Sequence, residues 1–470
     1  MRTVFKSVII GRGDDSALQG IEYPSLLALM DGEDKVTNDY KLTQIRISSK
    51  DDIAKMTIAN FAGHQAAVHL ATCDFRYSHP VRDVVKRDEL LQEMWRIVRY
   101  LPGCWGTSII DCSQGVINIL KNARLLLGCP TLNQIKRLNV PAIAIGAGPS
   151  LKAALPALRS LRGRALMVAC DTAMSLLDRE GIHPEICTPL ERLPATAEKL
   201  KGVYSHTLYA GTPVVPPAAL CGFSRHILVA PFDVLYEWMC PTVGMMNPGS
   251  SSGSMAVQIA GMLTKSDVFL IGHDLCRTGD ASHADSESIS AKVQTHDQHT
   301  ALGYDGAMHP STLAWERTRI DIQEMNYHRK LFNASGSEGL GSVIQGVDCK
   351  GLPDPSMLSD LPEMEIGNGD ERRYHDFLAY GRNLSSDFDA YVMDALEAKS
   401  VDDVGSKKYI HNRNHFAIDY IIRSIYAQMS IEKRLGHSEE SLLLAFKNAL
   451  SNVHKELGDV LRRACESLVD

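Results

Sequence analysis

The sequence predicts an α/β protein with a Rossmann-like parallel sheet as its core domain, a small α/β N-terminal domain and a helical C-terminal region. Between residues 140 and about 352, short and continuously apolar segments alternate with helix-like segments. That alternation is typical of a parallel sheet whose two faces are covered by helices. Because 470 residues are too many for one hydrophobic core, we expect three domains, at residues 1–86, 87–365 and 366–470.

Composition excludes several classes of protein. The apolar fraction of 44% and charged fraction of 22% are ordinary for a globular protein. A net charge of −7 argues against a nucleic-acid binder, which usually has a strongly basic domain. No stretch approaches the roughly 20 apolar residues that cross a bilayer. The 11 cysteines have no C-x-x-C or regular spacing and predict reduced thiols in the cytoplasm.

The first 86 residues contain three candidate strands, TVFKSVII, LTQIRIS and AAVHLAT. The opening segment lacks the h-region and cleavage site of a signal peptide, so it predicts a first strand. From Arg87 the pattern becomes helical, first as RDELLQEMWRIVRYL and then as SIIDCSQGVINILKNARLLLG. The second helix is predicted to end at Gly128, with Pro130 just beyond it.

Six strands and three helices are predicted in the central domain. The strands are PAIAIG, ALMVAC, EICTPL, HTLYAG, HILVAP and DVFLIG, and the helices are PSLKAALPAL, AMSLLDREG and SGSMAVQIAGML. Ligands of open parallel sheets bind beyond the carboxyl ends of the strands. Glycine or charged residues follow four of these strands, which a purely structural edge would not require.

The C-terminal region predicts a long packed helix with Ser438 as its N-cap and acidic residues in its first turn. Apolar residues recur at spacings of three and four, at Leu443, Phe446, Leu450, Val453, Leu457 and Val460. We expect this seam to pack within a bundle rather than to form a dimer interface. Asp387 and Asp389 form a D-x-D pair that we expect on a solvated helix face.

The turn GAGPSL, which follows the strand AIAI, is a candidate anion site. Gly146 and Gly148 allow a tight turn and close approach of a ligand, and Pro149 suits the first helical position. The N–H groups at the start of the helix and the Ser150 hydroxyl could then hold a phosphate. The alternative is a tight connection with no ligand. Leu151 stands where the Rossmann G-x-G-x-x-G needs a small residue, and the P-loop G-K-[ST] is absent, so both signatures are excluded.

Other strand ends carry further candidates. The cluster NPGSSSGSMAVQ precedes a helix and could offer hydroxyls to a second anionic or sugar group, the alternative being a flexible loop with Ser252 as helix N-cap. The segment GHDLCRTGDASHADS contains two histidines and two aspartates that could transfer protons, and His283 is the favoured histidine. No cluster of metal ligands is evident, although a magnesium ion held mainly by ligand phosphates would need few protein ligands. These candidates are Asp171, Thr172, Glu191, Ser250, Ser251, Ser252, His273, Asp274, Asp280 and His283.

Taken in order, seven motifs resemble those of the motility-associated factor (Maf) family of bacterial flagellin glycosyltransferases. They are AIGAGPSL, CDTA, TPLER, GSSSGSMA, LIGHDL, SHA and FNASGSEGLGSVIQG. The upstream GTSIIDCSQGVINILKN is also similar to that family, so the resemblance covers roughly residues 87–352. The GxGPSL start also resembles the CMP-sialic-acid-dependent bacterial sialyltransferases and the MptE-like pterin pyrophosphokinases. The domain therefore does not by itself define the reaction.

The resemblance implies an enzyme that transfers a nonulosonic acid, of pseudaminic or legionaminic type, from its CMP-activated form to Ser or Thr hydroxyls of flagellin, with no required cofactor. It implies that Gly146, Gly148, Pro149 and Ser150 lie along the phosphate and that Asp171 and Thr172 hold ribose or cytosine. It further implies nucleotide or sugar contacts from Ser250, Ser251 and Ser252, and a sugar or acceptor side lined by Glu191, Asp274, His283, Asn333 and Glu338. Either His283 or Asp274 would serve as the catalytic base, and the sequence does not decide between them.

Three other functions stay open at this point. The same domain could add the sugar to a surface glycan. It could be a pterin pyrophosphokinase, which would need ATP and magnesium. It could also be a flagellin-binding protein without catalysis.

Overall fold

The computed structural model describes the chain mainly between residues 109 and 377. The described residues are 7–11, 25–30, 42–47, 74–77, 109–231, 245–292, 299–324, 330–335, 344, 347–377, 389–390, 392–393, 395–400, 429 and 437–466. Contacts divide the chain into two compact units. One unit comprises Met1–Ser113 and Ser386–Gly458, and the other comprises Gln114–Ser385 and Asp459–Asp470. The domain boundaries expected at residues 86 and 365 stay predictions.

The first unit contains a four-stranded parallel sheet of order β3-β2-β1-β4. Its strands are β1 (Ser7–Gly11), β2 (Ser25–Met30), β3 (Leu42–Ile47) and β4 (Asp74–Tyr77). Strands β1 and β3 confirm the predicted TVFKSVII and LTQIRIS, whereas β2 and β4 were not predicted. The predicted strand AAVHLAT and the predicted helix RDELLQEMWRIVRYL lie outside the described residues.

The second unit is built on an eight-stranded sheet in which every strand pair is parallel, as predicted. Its strand order is β16-β15-β12-β5-β6-β7-β8-β9. The strands are β5 (Ala142–Ile145), β6 (Leu166–Cys170), β7 (Ile186–Thr188), β8 (Leu208–Gly211), β9 (His226–Leu228), β12 (Val268–Ile271), β15 (Leu331–Asn333) and β16 (Asp348–Cys349).

Smaller strand pairs lie beside this sheet. Strands β10 (Ala230–Pro231) and β11 (Met245–Met246) pair in parallel. Strands β13 (Thr300–Leu302) and β14 (Met308–Pro310) form an antiparallel hairpin. Strand β10 is the end of the predicted strand HILVAP, whereas β11, β13 and β14, each three residues long or shorter, were not predicted.

Helices precede the first strand of the large sheet and lie between its later strands. They are α1 (Ile109–Leu126), α2 (Leu151–Ser160), α3 (Asp171–Arg179), α4 (Ala195–Lys199), α5 (Ser252–Leu263), α6 (Ile289–Lys292) and α7 (Leu313–Glu324). Short 3-10 helices cover Leu132–Gln134, Pro217–Ala219 and Pro355–Met357. Helix α5 contacts the central strands β5 and β6, and its predicted bounds are those observed.

The six strands predicted for this sheet are all present because their apolar runs are buried. All four residues of β5 and of β12 are buried, as are all five of β6. Strand β5 has β6 on one side and β12 on the other. After β5 the chain continues to β6 and outward to β9, and only later returns to β12 on the opposite side. The strand order therefore reverses between β5 and β12, where parallel sheets bind their ligands.

The C-terminal helix, α8 (Glu439–Glu466), follows the predicted pattern. The Ser438 hydroxyl accepts a hydrogen bond from the Ser441 N–H, and Glu439 and Glu440 occupy the first turn. Four positions of the predicted seam are buried, namely Phe446, Leu450, Val453 and Leu457. Asp389, from the D-x-D pair, is exposed and bonded to His454 at 2.7 Å. Among the described helices, none is long and apolar enough to cross a membrane.

Candidate functional site

A pocket opens where the turns after β5, β6 and β12 meet the start of α5. We call it the central pocket. The residues that line it are Gly146, Ala147, Gly148, Cys170, Asp171, Thr172, Glu191, Lys199, Ser251, Ser252, Gly253, Gly272, His273, Leu275, Ser282, His283, Trp315 and Thr318. The carboxyl ends of three parallel strands and the switch point of the sheet thus contribute to one cavity, as expected for an open α/β sheet.

The glycine turn after β5 is shaped by the neighbouring turn after β12. The Gly148 N–H donates to the Gly272 carbonyl oxygen over 2.7 Å. A Cβ at position 146 would lie 2.4 Å from that oxygen, and one at position 148 would lie 2.2 Å from Asp274 Oδ2. Gly272 itself has a φ of +69°, in the left-handed region that favours glycine. Close approach of two backbones is therefore one reason for these glycines, while Gly146 and Gly148 also line the pocket.

The anion at the start of α2 is the protein's own Asp274. Asp274 Oδ2 accepts hydrogen bonds from the Ser150 N–H, over 3.0 Å, and from the Ser150 hydroxyl, over 2.9 Å. A carboxylate is favourable there for the same reason that a phosphate would be, because the first N–H groups of a helix lack backbone partners. Ser150 is only 3% exposed, and neither Pro149, Ser150 nor Asp274 lines the central pocket. The two donors of Ser150 that the sequence assigned to a phosphate are thus already engaged.

Asp274 is a buried carboxyl rather than a pocket side chain. Burial raises its pKa to about 6, although the hydrogen bonds from Ser150 act to lower it. Its Oδ1 is buried without a hydrogen-bond partner. The adjacent His273 does line the pocket, but its Nε2 is also buried and unpartnered. Burial lowers the pKa of His273 to about 4, so this imidazole is neutral at pH 7. Asp280, from the same predicted cluster, is exposed and does not line the pocket.

At the end of β6, Asp171 organises the side of the pocket that includes a lysine. Asp171 Oδ1 accepts hydrogen bonds from the N–H and hydroxyl of Thr172, while Oδ2 lies 3.3 Å from Lys199 Nζ. Although burial alone would lower the pKa of Lys199, the charges of Asp171 and Glu191 raise it. Lys199 is therefore a charged ammonium in the pocket. Asp171 is only 1% exposed, so its carboxylate holds the Lys199 ammonium in place and is almost inaccessible to solvent.

The serine cluster before α5 is ordered, and its N-cap is Ser251 rather than Ser252. The Ser251 hydroxyl accepts from the Ser254 N–H over 3.1 Å. Ser252 is the first helical residue; its hydroxyl donates to the Thr188 carbonyl and accepts from the Asp171 N–H over 3.2 Å. Ser252 therefore joins the ends of β6 and β7 to α5. Ser251 and Ser252 line the pocket, but Ser250 does not.

Of the two predicted catalytic candidates, His283 lines the pocket. The Ser282 hydroxyl lies 3.0 Å from His283 Nδ1, and the imidazole meets the Trp315 ring at a centroid distance of 6.3 Å. Burial lowers the pKa of His283 to about 4, and the positive charge of Lys199 lowers it further. The imidazole is thus neutral near pH 7 and can accept a proton or a hydrogen bond.

Not all of the residues expected on the sugar or acceptor side line the central pocket. Glu191 is exposed and lines the pocket. Asn333, at the end of β15, is fully buried and its Oδ1 accepts from the Ser335 N–H over 3.0 Å, so it shapes a turn and does not line the pocket. Glu338 lies outside the described residues.

Three residues that line the pocket lie outside every motif noted in the sequence: Lys199, Trp315 and Thr318. Leu275 has a φ of +55°, which is rare for a residue with a branched side chain and is a known mark of functional loops. Lys199 ends a five-residue helix, and Trp315 and Thr318 belong to α7, so no local motif signals them. Within the described part of the chain, no group of three or more His, Cys, Asp or Glu residues could hold a metal ion.

Comparison with known proteins gives two likenesses. Residues 117–280 match the family model of 6-hydroxymethylpterin diphosphokinase MptE-like proteins. The structure of a MAf glycosyltransferase from Magnetospirillum magneticum AMB-1 superposes with a TM-score of 0.58 and 13% identity, over 98% of this chain and 80% of that chain. No curated protein sequence matches significantly. The chain is therefore similar in fold to a Maf glycosyltransferase, and its central residues are similar to MptE-like domains, as its sequence predicted.

Proposed function

We propose that the protein is a glycosyltransferase that moves a nonulosonic acid, of pseudaminic or legionaminic type, from its CMP-activated donor to Ser or Thr hydroxyls of flagellin in the cytoplasm. One observation carries this proposal: the fold likeness to a Maf glycosyltransferase extends over 98% of the chain. The central pocket adds support, because Ser282, His283, Trp315 and Thr318 lie beyond the residues that match the pterin enzyme.

In this proposal the start of α5 supports the phosphate of the donor. Ser252 and Gly253 are the first residues of that helix and line the pocket, and the first N–H groups of a helix have no acceptor within it. The start of α2 has no such role, because Asp274 occupies it. Breaking the sugar–phosphate bond develops an oxocarbenium-like sugar and releases CMP. Oriented N–H groups stabilise the negative charge on that leaving phosphate.

The acceptor hydroxyl needs a base, and we assign that role to His283. Its imidazole lines the pocket and is neutral at pH 7, whereas Asp274 is buried outside the pocket. The proton of the attacking hydroxyl passes to the imidazole as the new bond to the sugar forms. The proposal requires no cofactor, although Mg²⁺ held mainly by ligand phosphates would need few protein ligands.

Intact mass spectrometry of flagellin tests the proposal. Purified flagellin is incubated with the protein and either CMP-pseudaminic acid or CMP-legionaminic acid, and we expect a mass increase of one or more nonulosonic acid residues. His283→Ala should reduce the rate by about 10²–10⁴-fold, and the control His183→Ala, outside the pocket, should not. The proposal is refuted if the folded protein leaves flagellin unmodified with both donors.

The runner-up is a diphosphokinase acting on a pterin, which the match over residues 117–280 favours. That enzyme would transfer a diphosphate from ATP to 6-hydroxymethylpterin, with magnesium. The same protein sample incubated with ATP, Mg²⁺ and the pterin would release AMP. We expect no AMP. If AMP forms at the rate at which the pterin is consumed, the protein is a diphosphokinase and the transferase proposal is wrong.

A further inference from the structure

The central pocket contains one positive side chain among the described residues that line it, Lys199. Its side chain is only 14% exposed, and it is the last residue of α4. Asp171 and Glu191 line the same cavity, so without Lys199 the lining would repel an anion. Lys199 therefore offsets the negative charge of the lining.

The contacts of Lys199 leave it able to bind a ligand. Its ammonium has three donors, and Asp171 Oδ2 lies 3.3 Å from Nζ. The other oxygen of Asp171 is engaged with Thr172, so the carboxylate is held and in turn holds the lysine. One carboxylate oxygen does not use all three donors of an ammonium, and Lys199 lines the pocket.

A second group that stabilises anions lines the same pocket. Ser251 caps α5, and Ser252 and Gly253 begin it, so the positive end of the helix dipole and its first N–H groups are at this cavity. Ser252 also bonds to the N–H of Asp171, which fixes the helix start beside the residue that holds Lys199. A lysine together with a helix start is a common combination for binding phosphate.

We propose that Lys199 binds a phosphate oxygen of the nucleotide in the central pocket and makes the pocket prefer nucleotides to nucleosides. The inference rests on the proposed function in one respect, that the pocket is the donor site. It assigns Asp171 to holding Lys199 rather than to the ribose or cytosine. If Lys199 only neutralised Asp171, its removal would not change the preference of the pocket for nucleotides over nucleosides.

Isothermal titration with CMP and with cytidine separates these two roles. Wild type should bind CMP more tightly than cytidine. Lys199→Met should lower the affinity for CMP about 10- to 100-fold and leave that for cytidine unchanged. Lys201→Met is the matched control, because Lys201 is 68% exposed, pairs with Glu198 and does not line the pocket. It should behave as wild type.

A second variant guards against misfolding. Lys199→Met leaves the buried Asp171 without its cation, which can destabilise the fold. The double variant Asp171→Asn with Lys199→Met removes both charges, and it should lose the preference for CMP while still binding cytidine. An unchanged preference in the double variant would overturn the proposal, as would an equal loss of affinity for CMP and cytidine in both variants.

The same titrations distinguish failure of this inference from failure of the proposed function. If wild type binds CMP and both variants keep the preference, only the role of Lys199 is wrong. If wild type binds ADP with Mg²⁺ but not CMP, the transferase is wrong. ADP and adenosine then take the place of CMP and cytidine, and Lys199→Met must still lower the affinity for ADP alone.

Discussion

A single methyl group at position 148 would meet two oxygen atoms. A Cβ there would lie 2.2 Å from Asp274 Oδ2 and 2.8 Å from the Gly272 carbonyl oxygen. Gly148→Ala must therefore push apart the turns after β5 and β12, and we expect it to destabilise the protein by about 1–3 kcal/mol. Gly351→Ala is the control, because no atom lies within 4 Å of its Cβ position. Equal thermal midpoints for the two variants would contradict this account of the turn.

The Asp274 carboxyl should make stability depend on pH. Its pKa is raised from 3.8 to about 6 by burial, so between these values the folded protein holds a proton that the unfolded chain has released. The free energy of unfolding therefore falls as the pH rises from about 4 to about 6, by at most about 3 kcal/mol, and this contribution is constant above pH 6.

Thermal unfolding between pH 4 and pH 8 measures this effect. The midpoint of wild type minus that of Asp274→Asn should decrease up to about pH 6 and then stay level. Asp280→Asn, at an exposed position of the same loop, should follow wild type throughout. A difference between wild type and Asp274→Asn that does not vary with pH would show that the carboxyl is not buried as described.

At the scale of elements, helix α1 is joined to the loop after β8 by two asparagines. Asn122 Nδ2 donates to the carbonyl oxygens of Pro213 and Val215, over 3.0 and 2.7 Å. Asn118 donates to Val214 of the same loop and to Arg192, next to the pocket residue Glu191. The two asparagines of the segment GVINILKN thus hold the loop after β8 and the backbone next to Glu191.

Asn122→Leu keeps the size of the side chain but leaves two buried carbonyl groups without a donor. We expect it to lower the free energy of unfolding by about 2 kcal/mol or more. Urea unfolding followed by circular dichroism would measure the change, with Lys121→Ala, at an exposed position of α1, as the control. The account of α1 fails if both substitutions have the same small effect.

Continuous apolar runs made most of the large sheet predictable. Strands such as AIAI and VFLI are buried along their whole length, so pattern alone identified them. Strand β16 has only two residues, both exposed, and so shows no apolar run; β15 was not predicted either. The bounds of α5 were predictable because its apolar run begins directly after a serine cap, although the cap is one residue earlier than expected.

The site was less predictable, since its residues meet only in the folded chain. Lys199 ends a short helix, and Trp315 comes from α7, more than a hundred residues later. Nor does sequence decide which anion occupies a helix start: the N–H and hydroxyl of Ser150 both donate to Asp274. Glycine motifs indicated the edge of the sheet where the central pocket lies but not the contacts made there.

At the scale of the whole molecule, the chain has two likenesses of different extent. The match to MptE-like proteins ends at residue 280, whereas the fold likeness to the Maf glycosyltransferase covers 98% of the chain. The pocket uses residues from both sides of that end point, with His283 and Trp315 beyond it. We therefore predict that the nucleotide bound in the pocket distinguishes the proposed transferase from the proposed diphosphokinase.

Thermal unfolding with CMP, and separately with ATP and Mg²⁺, is the most direct test of the central claim. A ligand that binds only the folded protein raises its unfolding midpoint by mass action. We predict that CMP raises the midpoint and that Lys199→Met reduces this shift, while ATP with Mg²⁺ has little effect. A shift with ATP and Mg²⁺ but none with CMP would contradict the transferase and favour the diphosphokinase.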